Sequence, residues 1–121
     1  MLKLIAILVL AGNIQVAVEQ PNGYLEQSFP NSAAGAQQLI EFAEKNVGDA
    51  PKGIRIVVGR DSDASSDAHI VKALTDLGIS FGVVSAAEVK EAATAGGGAI
   101  TAKAVAAADE KKCGFLYRRE R

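Results

Sequence analysis

The stretch RDSDASSDAH, Arg60 to His69, gathers an arginine, three aspartates, three serines and the chain's only histidine directly behind the apolar run IRIVV. Two chemistries would use such a set. Asp61 and Asp63 offer hard carboxylate oxygens to a divalent cation, while Arg60, Ser65 and Ser66 at a helix amino terminus offer charge and hydroxyl donors to a phosphate. His69 is able to act as an acid or base near neutral pH. The competing reading is structural. Ser65 or Ser66 caps the following helix, Asp63 and Asp67 complement its dipole, and His69 is an exposed first-turn residue. The spacing matches no calcium loop and no serine or cysteine nucleophile pattern accompanies His69, so the structural reading is favoured. Should a ligand bind, nucleic acid or another anion is expected at Arg60, Asp61, Ser65, Ser66 and His69. No catalytic residue, metal ligand or cofactor is assigned.

The elements that must position this stretch follow from hydrophobic pattern and turn chemistry. Leu4 to Val9 reads as a strand buried on both faces, Ile14 to Val18 as a second, and Tyr24 to Phe29 as a third after the hairpin signal Pro21-Asn22-Gly23. Asn31 or Ser32 caps a helix with Ala36, Leu39, Ile40, Ala43 and Val47 on one face, ended by Gly48 and Pro51. Ile54 to Val58 is the fourth strand. A helix with Ile70, Val71, Leu74 and Leu77 on one side closes at Gly78, and Ile79 to Val84 is the fifth strand. Ser85 caps Ala86 to about Ala93, and Gly96-Gly97-Gly98 is a hinge before a last helix, Ile100 to about Lys112. That glycine run lacks the Gly-Lys-Ser/Thr ending of a phosphate loop. The order predicts one α/β domain over residues 1–121: an antiparallel three-strand meander, then a parallel βαβ unit, in a mixed five-stranded sheet with flanking helices. The fourth strand, joined to the fifth through a helix as a parallel crossover, puts the candidate stretch at the carboxyl end of a parallel strand, where open sheets bind ligands.

Bulk composition narrows the function classes. With 121 residues the chain is long enough for a core held by packing alone. One cysteine and one histidine exclude an intramolecular disulfide and leave too few ligands for a conventional zinc cage. Thirteen Lys plus Arg against fourteen Asp plus Glu give no global basic field, so any DNA contact is a local patch. The basic end, Lys111, Lys112, Arg118, Arg119 and Arg121, is diluted by Glu110 and Glu120 and reads as a solvated terminus. Cys113, Phe115, Leu116 and Tyr117 are apolar enough to dock on the sheet or on a second subunit. The opening MLKLIAILVLAG is too short to span a membrane; a buried strand is favoured over a signal peptide, and a cytoplasmic location is expected.

Two longer phrases carry a resemblance. FPNSAAGAQQLIEFA, Phe29 to Ala43, is similar to a segment FxNTxxGxxxLLxWL, and LTDLGISFGVVSAAEV, Leu74 to Val89, to LxxxGxxVxVVNPxxV. Both segments belong to the amino-terminal, RuvC-like domain of insertion-sequence transposases, which has the ribonuclease H-like fold; the likeness spans about Leu4 to Ala108. The resemblance implies a ribonuclease H-like sheet and, in intact members, four carboxylates holding two divalent metals for phosphodiester chemistry. Those acids do not carry over. Leu8 stands at the first-strand position, Gly59, Arg60 or Asp61 at the fourth-strand position, and Gly98 and Thr101 in AITAKAVAAAD where the last helix supplies two acids. Only Asp61 and Asp109 offer carboxylates. The expected function is therefore that of a non-catalytic, degenerate transposase- or resolvase-like domain that binds nucleic acid or a protein partner, including a second copy of itself. The alternatives are a metal-dependent phosphodiesterase with an atypical site around Asp61 and Asp109, and a small exported domain.

Overall fold

The apolar run near the amino terminus is the centre of the molecule. In a computed structural model, which describes residues 3–48, 53–62 and 64–119 with side chains through Lys112, β1 (Lys3–Val9) lies between an antiparallel neighbour, β2 (Asn13–Gln20), and a parallel one, β4 (Ile54–Arg60). β3 (Gly23–Pro30) and β5 (Gly82–Val84) form the two edges, giving the order β3-β2-β1-β4-β5. β5 runs parallel to β4. The mixed five-stranded sheet is thus the one expected from the order of elements.

Helices cover both faces, which is why β1 is apolar at every position from Leu4 to Val9 and not at alternate ones. Leu4, Ala6 and Leu8 point to one side, where they meet α3 (Ala86–Ala95) and α4 (Ala102–Arg119). Ile5, Ile7 and Val9 point to the other, under α1 (Ala33–Asn46) and α2 (Ala68–Asp76). Two apolar layers therefore sandwich one sheet. Among the described residues, no helix is long and apolar enough to cross a membrane.

Local chemistry sets the element ends. The Ser32 hydroxyl accepts from the Gly35 N–H at 3.0 Å and starts α1. Gly35 is required there, because a Cβ would lie 1.8 Å from the Pro30 carbonyl oxygen. Ser85 and Glu88 form a reciprocal capping box at α3. At the end of α2, Gly78 has φ +70°, and the Ile79 and Gly78 N–H groups donate to Leu74 and Thr75 carbonyls at 3.0 and 2.9 Å.

Several boundaries differ from the sequence reading. β5 loses Ile79 to Phe81, because the Ile79 N–H closes α2; Ile79 and Phe81 still pack into the core. β4 runs two residues further, so Arg60 is its last residue. Leu77 is exposed instead of facing the core. α4 continues through Arg119, so the segment from Cys113 is helical and no separate tail; the side chains expected to dock there lie outside the described residues.

Candidate functional site

β1 and β4 are parallel neighbours, and the chain leaves them in opposite directions, toward β2 from one and through α2 to β5 from the other. Their carboxyl ends therefore flank the crevice in which open α/β sheets place ligands. Arg60 pairs with Val9 at the end of the ladder, and the Asp61 N–H extends it by donating to the Val9 carbonyl at 3.1 Å. The chain then turns on itself, with the Ser65 N–H donating to the Ser62 carbonyl at 3.2 Å.

That turn brings two of the expected residues together. The Ser65 hydroxyl donates to Asp61 Oδ1 at 2.5 Å, and Ser65 is only 3% exposed. The pair is a carboxylate satisfied by an internal donor. A serine so enclosed offers no oxygen to a substrate. Ser66 and His69 are exposed, His69 in the first turn of α2, and Asp63 lies outside the described residues.

The capping expectation needs correction. The N-cap of α2 is Asp67, whose side chain makes no capping bond, and the Ser66 hydroxyl reaches only the Ala68 N–H, at 3.4 Å. Ser65 is held by Asp61 and is therefore not available to cap. Sequence reasoning also missed Asn31, weighed only as a cap for α1. Its Nδ2 donates to the Leu10 carbonyl at 2.9 Å and the Ser66 carbonyl at 3.0 Å, joining the end of β1 to the turn before α2, while its Oδ1 is buried with no hydrogen-bond partner among the described residues. An asparagine directly after Pro30 was the available signal.

Of the positions where the resemblance would put metal-binding acids, Leu8 and Gly59, the latter one of three fourth-strand alternatives, are enclosed by apolar groups. Leu8 is fully buried and sits opposite Gly59 in the β1–β4 register. A Cβ on Gly59 would meet methyl groups of Val84 and Val89 at 2.9 Å and Val105 at 3.0 Å, contributed by β5, α3 and α4. Gly98 is exposed and Thr101 half-buried, both before α4 begins. The space between strand ends and last helix is occupied by side chains.

Asp109, the second carboxylate considered for a metal, is 1% exposed and receives a two-pronged bond from Arg55: Nη2 to Oδ1 at 2.8 Å and Nε to Oδ2 at 3.2 Å. Arg55 lies opposite Leu4, at the other end of β4 from Asp61. Six strand residues span about 20 Å, so Asp61 and Asp109 cannot share an ion. Among the described residues, no group of three or more His, Cys, Asp and Glu side chains is arranged to hold a metal.

Two ionisable groups away from this corner are perturbed. Burial pushes the Tyr24 phenol above its usual value, with the Glu19 and Glu110 carboxylates adding to the rise. The Ser85 backbone N–H, followed by its hydroxyl and by Lys112, holds the Glu88 carboxyl below its usual value. On the α1–α2 side, an apolar groove of about 460 Å³ is lined by Ile5, Ile7, Leu39, Ile40, Ile54 and Ile56 among others, with Glu44 and Ser80 its polar members. No protein-family model matches the chain, and no curated protein matches it.

Proposed function

We propose that this chain is a non-catalytic relative of ribonuclease H-like domains and acts by binding another protein. The observation that carries the reading is the apolar packing of Leu8 and Gly59 beneath Val84, Val89 and Val105. A two-metal phosphodiesterase needs carboxylates and two hydrated cations in that volume, and three buried methyl groups leave room for neither. The order β3-β2-β1-β4-β5, with only β2 antiparallel to its central neighbour, supports the ribonuclease H-like relationship.

A protein partner is preferred over nucleic acid because the chain carries no excess of cations, thirteen Lys plus Arg against fourteen Asp plus Glu, and several of those with described side chains are held in ion pairs. Arg55 pairs with Asp109, Lys72 with Asp76, Lys103 with Glu26, Lys111 with Glu91 and Lys112 with Glu88. Phosphate binding draws its free energy from cations that neutralise the backbone, and cations already paired contribute less. The test is a low-salt screen of the full chain against single-stranded, duplex and branched DNA, with and without Mn²⁺. The expected result is neither retention nor cleavage. Mn²⁺-dependent cleavage that disappears in Asp61→Asn would overturn the non-catalytic reading, and salt-sensitive retention of DNA would overturn the choice of a protein partner.

A further inference from the structure

Resting on the protein-binding reading, we infer that the partner is a second copy of this chain, joined antiparallel through the outer edge of β3 about a two-fold axis at Gln27. The two sheet edges are treated differently. β5 is three residues long, and Lys112 reaches its Val83 carbonyl at 3.4 Å, so it offers little to an incoming strand. β3 pairs with β2 over eight consecutive positions without a bulge, is exposed at six of its eight residues, and among the described residues has no strand on its outer side. It carries no Lys or Arg, its proline is the terminal Pro30, and its single charge, Glu26, is drawn toward Lys103 on α4 at 3.5 Å. The usual guards of a long edge are missing from it.

The residues of β3 also select one register with themselves. Directly opposed residues of an antiparallel pair point to the same face, so a two-fold must pass through a residue and not between two. Leu25, Gln27 and Phe29 oppose Val18, Val16 and Ile14 and so face α1, whereas Tyr24, Glu26 and Ser28 face α4. An axis at Gln27 sets Leu25, 39% exposed, against Phe29 of the second copy twice over, and each Glu26 against a Ser28 hydroxyl. An axis at Glu26 would put the two carboxylates face to face, which is unfavourable. Axes at Leu25 or Ser28 shorten the ladder. This self-complementarity is the reason for choosing a second copy over a strand of another protein.

The experiment uses the full chain with Cys113→Ser to remove the native thiol. Under mild oxidation Gln27→Cys is expected to form a disulfide dimer, Glu26→Cys alone is not, and a mixture of Glu26→Cys with Ser28→Cys is. In sedimentation the unmodified chain should rise with concentration from 12.5 kDa toward twice that mass, and Gln27→Glu should weaken the association about five-fold with unchanged circular dichroism. A monomer at every concentration, or cross-linking by Glu26→Cys alone, overturns the pairing. DNA cleavage by a cross-linking dimer would instead overturn the protein-binding reading and support the pairing, so the two failures are distinguishable.

Discussion

Gly59→Ala tests the claim that the space above Gly59, one of the three candidate fourth-strand positions, is filled. The backbone at Gly59 does not have a positive φ. In open space, alanine at such a site stabilises by about 0.4–1 kcal/mol, because it narrows the unfolded ensemble. Here the added methyl would lie 2.9, 2.9 and 3.0 Å from the Val84, Val89 and Val105 methyls, all on buried residues. Carbon atoms pack best at about 3.5–4.0 Å, so three side chains from three elements must each retreat by roughly half an ångström. Overpacking of that kind costs about 1–3 kcal/mol, which exceeds the entropic gain and leaves a net loss of about 1–2 kcal/mol.

For a domain of this size such a loss lowers Tm by roughly 3–12 °C, and urea unfolding should show a lower midpoint at unchanged slope. Val105→Ala alone opens a cavity and costs about 1–3 kcal/mol. In the double variant the new methyl enters the vacated space, so the combined loss should fall short of the sum by about 1 kcal/mol or more. A Gly59→Ala protein as stable as its parent, or a double variant whose losses simply add, would refute the packing argument and with it the observation behind the non-catalytic reading.

Further outcomes follow from other contacts. Asp109→Ala removes the buried acceptor of two Arg55 bonds and opens a void, so unfolding free energy should fall by about 1–3 kcal/mol in urea titrations. Asn31→Ala removes two donors from the Leu10 and Ser66 carbonyls and should cost about 1–3 kcal/mol, with Asn31→Asp worse at neutral pH because a carboxylate would face those oxygens. Ser85→Ala loses the capping box, at about 1 kcal/mol. Because Glu88 is held below its usual value in the folded chain, chiefly by the backbone N–H of residue 85, its stabilisation is present above the unfolded value and lost as pH falls through the folded one; the gap between parent and Glu88→Ala should narrow in acid. Tyr24 runs the other way, since the folded state holds its proton more tightly. Stability should be intact below about pH 10 and decline as pH rises through the folded value, and Tyr24→Phe should remove that decline along with one late phenolate transition at 295 nm.

Short-range chemistry was legible in the sequence. The uninterrupted run Leu4 to Val9 could be buried on both faces only in a central strand, and Ser32, Ser85 and Gly78 announced the helix ends they form. That leucine stands at position 8, where the proposed relationship would put an acid, could be read directly, but the packing around Gly59 could not, because Val84, Val89 and Val105 come from three separate elements. The Arg55–Asp109 pair joins residues 54 positions apart and no local pattern marks it. Ser65 was misread for a related reason. A serine before a helix is a cap by local preference, yet the turn after β4 folds its hydroxyl onto Asp61, and the stronger charge-assisted bond wins. β5 was overextended because apolar Ile79 and Phe81 fit a strand pattern equally well when they pack from a loop.

Under the proposed ribonuclease H-like relationship, the absence of the acids and the filling of the space belong together physically. In a two-metal site, carboxylates that would repel one another are held by cations, and the volume between strand ends and last helix is polar and hydrated. Without the first-strand acid the remaining groups lose their counter-charge, and an uncompensated carboxylate there would cost several kcal/mol. Apolar closure removes that cost, and Leu8, Gly59 and Val105 achieve it. Neither position would accept a carboxylate: an acid at Leu8 would be buried among aliphatic groups, and one at Gly59 would collide with three methyls. With Asp61 bonded to Ser65 and Asn31 tying the neighbouring turns, the carboxyl end of the sheet is consolidated, and the long side of β3, with no strand beside it among the described residues, is the edge proposed to take a second copy.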